Sequence, residues 1–254
     1  MKKEPLFVAF STQKGGVGKT TFTVLTASYL YYLKGYNVLV IDCDFPQHSI
    51  DELRKRDATE VDSDRYYRKL SFEFFKELKR SPYPVICCPP EEAVESARNY
   101  INSKNEAFDL VLIDFPGTVN SAGVVHAISQ MDYIFVPVMA DMVTMTSCLR
   151  FATIINENVV LRNAAKLQAV KMFWNRVDRR EKTEIYEKYD RIINELGLEI
   201  LKTTIPDSVR YKKEMAKDRR EIFRSTIFPP DKKLLKGSNL EEFIAEICQI
   251  INLN

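Results

Sequence analysis

The sequence predicts a doubly wound α/β domain, a mainly parallel sheet with helices on both faces. Three observations lead there. Short β-branched or aliphatic runs recur along the chain, most are separated by stretches long enough for a helix, and the runs are near-continuously apolar. Strands of that kind are covered on both faces and joined by helical crossovers.

Strands are expected at Leu6 to Ser11, Val38 to Asp42, Val85 to Cys88, Leu110 to Asp114, Tyr133 to Val138, Ala169 to Trp174 and Glu199 to Thr204. A helical run from Phe22 to Leu33 follows the first strand and stops at Gly35. Residues 52 to 80 are highly charged and helix-favouring, and read as an insertion at the periphery of the sheet. Pro82, Pro84, Pro89 and Pro90 punctuate loops rather than divide domains. With no low-complexity linker and no internal repeat, 1–254 reads as a single domain. Its tail from Ser238 is expected to pack through Phe243, Ile244, Ile247 and Ile250.

Of the 254 residues 45% are hydrophobic and 28% charged, which excludes disorder, collagen and disulfide scaffolds. A chain of this length closes a core without metal or disulfide. Cys43, Cys87, Cys88, Cys148 and Cys248 are an odd set with no CxxC pair, and no secretory leader opens the chain, so reduced thiols in a cytoplasm are expected. No uncharged apolar stretch approaches a membrane span. His48 and His126 have no ligand companions and are assigned no chemistry, while the tyrosines at 29, 31, 32, 66 and 67 read as packing or dimer contacts. Net charge is only +2, but residues 210–236 carry ten Lys or Arg against four acids.

After the first strand comes Lys14-Gly15-Gly16-Val17-Gly18-Lys19-Thr20-Thr21. Glycines let backbone amides curl around phosphate oxygens, the helix N-terminus adds partial positive charge, Lys19 can reach the β and γ phosphates, and Thr20 can ligate Mg²⁺. Strand, glycine loop and helix occur in the order a P-loop NTPase requires, against the alternative of a plain glycine-rich turn. Asp42 and Asp44 end the second strand, where carboxylates can serve water and Mg²⁺, with a turn cap as the alternative. Asp114 follows four apolar strand residues. Asn175-Arg176 and Pro206-Asp207 follow later strands, where an amide can pair with a base and a proline can wall it. If residues 211–224 are helical, Lys213, Lys217, Arg220 and Arg224 share one narrow stripe opposite Tyr211, Met215 and Ile222. Such a stripe is either a solvated face or a phosphate-binding one.

The KGGVGKTT string resembles the deviant Walker A loop of the ParA/MinD superfamily, and the likeness runs from Phe7 to about Ile251. It implies an ATPase using ATP and Mg²⁺, with Lys14 touching the partner's nucleotide across an ATP-bridged homodimer and Lys19 acting in its own site. It further implies that Asp44 positions the attacking water and that Thr20, Asp42 and Asp114 serve the metal. Gly15 to Thr21 would hold the phosphates, and Asn175, Arg176, Pro206 and Asp207 the base. The family pattern D-x-D-P-Q is interrupted here by Phe45, and Phe115 and Gly117 vary the loop after Asp114. Within the superfamily the chain looks most like the ParA-type proteins of conjugative transposons. That likeness implies non-specific DNA binding through the basic segment, a nucleoid-associated cytoplasmic protein, and a ParB-like adaptor or conjugation protein as partner. No winged or helix-turn-helix domain is expected before the first strand. A MinD-like membrane ATPase is the alternative, but the tail from Ser238 has no Lys or Arg to meet anionic lipid. A metabolic ATP-dependent enzyme on the same scaffold is the third.

Overall fold

The computed structural model describes residues 4–117, 122–161, 166–178, 180, 183–217 and 220–253. Its strands are β1 (Leu6–Phe10), β2 (Val38–Asp42), β3 (Val85–Cys87), β4 (Leu110–Asp114), β5 (Tyr133–Val138), β6 (Ala169–Trp174) and β7 (Glu199–Ile200). The helices between and after them are α1 (Lys19–Leu33), α2 (Ser49–Ser63), α3 (Arg65–Leu78), α4 (Ala93–Ser103), α5 (Ala122–Ser129), α6 (Met142–Ile155), α7 (Thr183–Glu195), α8 (Lys232–Leu235) and α9 (Leu240–Ile250). All pairings between these strands are parallel, in the order β3-β2-β4-β1-β5-β6-β7. From β1 the chain goes outward to β2 and β3, returns to place β4 beside β1, and then fills the other side. That reversal makes the carboxyl end of β1 a topological switch point, where open α/β sheets take their ligands.

The pleat divides the core in two. Phe7, Ala9, Leu39, Ile41, Val111 and Ile113 point to the face covered by α4, α5 and α6. Val8, Phe10, Val38, Val40, Leu110 and Leu112 point to the face covered by α1 and α9. On that second face Phe22 of α1, Phe173 of β6 and Phe243 of α9 form a ring cluster, with centroids 4.9 Å apart for Phe22–Phe173 and 4.6 Å for Phe173–Phe243. Burial of Phe243, Ile244 and Ile247 agrees with the packing expected of the tail. Tyr29, Tyr31 and Tyr32 are likewise buried side chains of α1. No helix among the described residues is long and apolar enough to cross a membrane.

The charged stretch expected as an insertion forms α2 and α3, and it supports a third small cluster. Tyr67, Val61, Leu70, Phe74 and Phe75 meet Met215, Ile222, Ile227 and Phe228 there. Beside it the buried Asp57 carboxylate accepts hydrogen bonds from Ser225 Oγ (2.9 Å), Thr226 N (2.7 Å) and Thr226 Oγ1 (2.8 Å). The insertion is thus a floor on which the basic segment rests.

Two expectations need correction. The last strand stops at Ile200 instead of Thr204. More consequentially, 211–224 is not a helix: a 3₁₀ turn at Val209–Lys212 gives way to irregular chain. The Lys213 carbonyl accepts both Phe223 N (2.9 Å) and Arg224 N (3.0 Å), so the segment doubles back on itself. The apolar side chains meant for one helix edge divide accordingly. Tyr211 joins the ring cluster beside Phe22, while Met215 and Ile222 enter the small third cluster. Asp218 and Arg219 lie outside the described residues.

Candidate nucleotide site

The phosphate loop leaves the switch-point end of β1 and closes onto the first turn of α1. Gly16 (φ +75°) and Gly18 (φ +106°) take left-handed backbone conformations. At Gly18 space also demands glycine, because an added Cβ would lie 2.9 Å from Asn175 Nδ2 and 3.1 Å from the Phe22 ring. Gly18→Ala is therefore expected to lower the unfolding free energy by about 1–3 kcal/mol, measured by denaturant titration.

A cavity of about 570 Å³ opens over the loop, lined by Gly15, Gly16, Gly18, Lys19, Thr20 and Thr21. Asp44, Phe45, Phe115, Pro116 and Gly117 close its other walls. Lys19 Nζ donates to the Lys14 carbonyl at 3.1 Å. Burial holds the Lys19 ammonium below its usual range, while Asp114 and Asp44 pull it back up. A buried cation with so little neutralisation is suited to an anionic ligand.

Asp114, at the end of β4, is fully buried, and burial pushes its carboxyl up to about 7 against the pull of the Thr20 hydroxyl. Its Oδ2 accepts Thr20 Oγ1 at 2.7 Å, whereas Oδ1 is buried without a partner. An orphaned carboxylate oxygen beside a hydroxyl is a hard-oxygen donor set that fits Mg²⁺.

Asp42 does something else. Its Oδ2 accepts the amides of Ile50 (2.9 Å) and Asp51 (3.0 Å), and its Oδ1 accepts Asp44 N at 3.2 Å. The side chain caps the start of α2 and is absent from the cavity lining. This capping is the alternative that the sequence left open for Asp42 beside a metal role. Asp44 does line the cavity, steadied by a 3.3 Å bond from Ser49 Oγ. Phe45, the residue that interrupts the family pattern, is 71% exposed at the cavity mouth.

A second cavity, of about 380 Å³, adjoins the first and is lined by Gly18, Thr21, Asn175, Arg176, Pro206 and Asp207, among others. All four residues expected near a base therefore come together. Asn175 also has a task the sequence did not suggest: Nδ2 donates to the Val17 carbonyl at 2.7 Å and Oδ1 accepts Arg176 N at 2.9 Å. Arg176 Nη2 reaches the Gly16 carbonyl at 3.1 Å. Together they brace the phosphate loop from β6. Lys14 is half-buried and Val17 is buried, and neither is among the residues lining these two cavities.

The four basic residues expected as one stripe go separate ways. Lys213 pairs with Glu221 at 2.7 Å, and Lys217 is exposed. Arg220 pairs with Asp64 at 3.2 Å over the Tyr66 ring. Arg224 enters the wall of the second cavity, where its Nη1 donates to Thr21 Oγ1 at 2.6 Å. Glu214, Tyr211 and Lys212 also line that cavity and carry no local motif by which spacing could have found them.

Comparison with known proteins agrees with this geometry. Residues 8–222 match the family described as the CobQ/CobB/MinD/ParA nucleotide binding domain. No curated protein sequence matches the chain. Among solved structures, an ATP complex of McdA from Cyanothece is similar with a TM-score of 0.60 at 16% identity, covering 99% of this chain and 98% of that one. The MinC:MinD cell division complex of Aquifex aeolicus gives a TM-score of 0.59 at 18% identity, with 99% and 97% covered. A plasmid partition protein from Borrelia burgdorferi gives 0.53 at 18% identity, with 96% and 100% covered. At such identities the solved structures speak for the fold, and the family match covers most of the length. The chain belongs to the CobQ/CobB/MinD/ParA nucleotide-binding family.

Proposed function

We propose that the chain is an ATP-dependent dimerising ATPase of the ParA type, cytoplasmic and nucleoid-associated. In this reading it binds DNA without sequence preference and acts in partitioning, positioning or conjugative-element transfer with a ParB-like or conjugation partner. The observation that carries this reading is the convergence of Lys19, Thr20 and Asp44 on one cavity at the start of α1. Lys19 binds the β and γ phosphates, and Asp44, held by Ser49, orients the attacking water. Thr20 and Asp114 are the residues that would hold Mg²⁺, which when bound neutralises charge on phosphate oxygens. Lys14 serves the partner's nucleotide. An apolar rim supports that face as the meeting surface: Phe45, Met142 and Val143 are exposed, and Asp141 beside Met142 feels the Lys14 charge.

Lys217, Arg220, Lys232, Lys233 and Lys236 are exposed in the basic segment and supply its DNA contacts, doubled in a dimer. Burial of Phe243, Ile244 and Ile247 in the core favours this reading over membrane attachment through the tail. The test is DNA retention with ATP, ADP or no nucleotide across a salt series, paired with sedimentation. Retention is expected with ATP only, falling with a log–log salt slope of about −0.9 per phosphate contacted. Lys14→Ala should bind ATP yet sediment as a monomer and lose retention. Equal retention in all three nucleotide states would remove the reading.

A further inference from the structure

We propose that Arg224 is a nucleotide ligand acting within its own subunit, and that it takes the phosphate next to the sugar. The proposal rests on the nucleotide reading above. Four observations carry it.

First, the guanidinium sits at the first turn of α1, 2.6 Å from Thr21 Oγ1. A cation at a helix N-terminus faces the positive end of the helix dipole, an arrangement made favourable by an anion between them. Second, Arg224 Nε is buried with no hydrogen-bond partner, a donor left over for a ligand. Third, Thr21 lines both cavities while Arg224 lines only the second. Its place is therefore the junction between the phosphate tail and the nucleoside. Fourth, the residue is presented by a built support. The Arg224 amide is bonded to the Lys213 carbonyl, and the next two residues grip the buried Asp57 carboxylate.

A carboxylate already occupies one side of the guanidinium. Arg224 Nη2 donates to Glu214 Oε1, and Glu214 Oε2 also accepts Arg56 Nη1 of α2 at 3.1 Å. Glu214 acts as the stand-in counter-ion, and a bound nucleotide competes with it for the guanidinium, which suits bidentate pairing with phosphate. Exchange of Arg224 from Glu214 to phosphate leaves Glu214 to Arg56 alone. Occupancy of the site is in this way passed to α2 and to the basic segment that rests on it.

The test measures ATP and ADP affinity in the full chain, in Arg224→Gln and in Glu214→Gln, with Lys19→Ala alongside. Arg224→Gln is expected to weaken ATP and ADP by the same factor, about tenfold to a hundredfold, because both nucleotides carry the phosphate in question. Glu214→Gln breaks the same ion pair yet should bind ATP at least as tightly as the parent, since the competitor is gone. If the pair only braced the fold, both variants would weaken binding alike, and that result overturns the proposal, as does an Arg224→Gln protein with parental affinity. A parent that binds no better than Lys19→Ala would instead bring down the nucleotide reading itself.

Discussion

Lys19→Ala is expected to weaken ATP binding by at least about a hundredfold, the cost of removing a buried charge partner from an anion. Equilibrium dialysis with ATP reads it directly. The unliganded protein should not suffer in proportion. Burial disfavours the Lys19 ammonium in the free state, where it donates to the Lys14 carbonyl. Loss of ATP-induced thermal stabilisation, with the nucleotide-free unfolding midpoint little changed, is therefore the expected pair of results. Parental ATP affinity in this variant would mean that the cavity over the loop is not a phosphate site.

Asp44→Ala is expected to slow hydrolysis by about a hundredfold or more while ATP binding and dimerisation persist, so that sedimentation finds a long-lived dimer with ATP. The separation of Asp44 from Asp42 makes the variant clean. Asp42 takes the Asp44 amide, which an alanine retains, so the cap on α2 is undisturbed. Hydrolysis at the parental rate would remove Asp44 from the reaction.

Much of this architecture was legible because strand burial is a local property. β2, β4, β5 and β6 run between the residues read from their apolar runs, and the glycine loop declares itself by composition and position. The basic segment was not legible, for a physical reason. Placing its cations at helical spacing presumes a helix, and the Lys213 carbonyl instead accepts the amides of Phe223 and Arg224 where the irregular chain returns. Arg224 meets Thr21, a partner 203 positions away, and no periodicity reports a contact of that kind. Asp42 illustrates a different limit. A carboxylate at a strand end can face a metal or the amides of the next helix, and the amides of Ile50 and Asp51 reach Asp42 only through the path of the 44–50 turn, which no local pattern reports.

The ring cluster joining Phe22, Phe173 and Phe243 has a practical consequence. Because Phe22 sits one turn into α1, a chain cut short before Leu240 would leave a hole directly behind the glycine loop, wetting the backs of two aromatic rings. C-terminal deletions would then masquerade as active-site lesions, weakening nucleotide affinity from the rear without touching a single residue that meets the ligand.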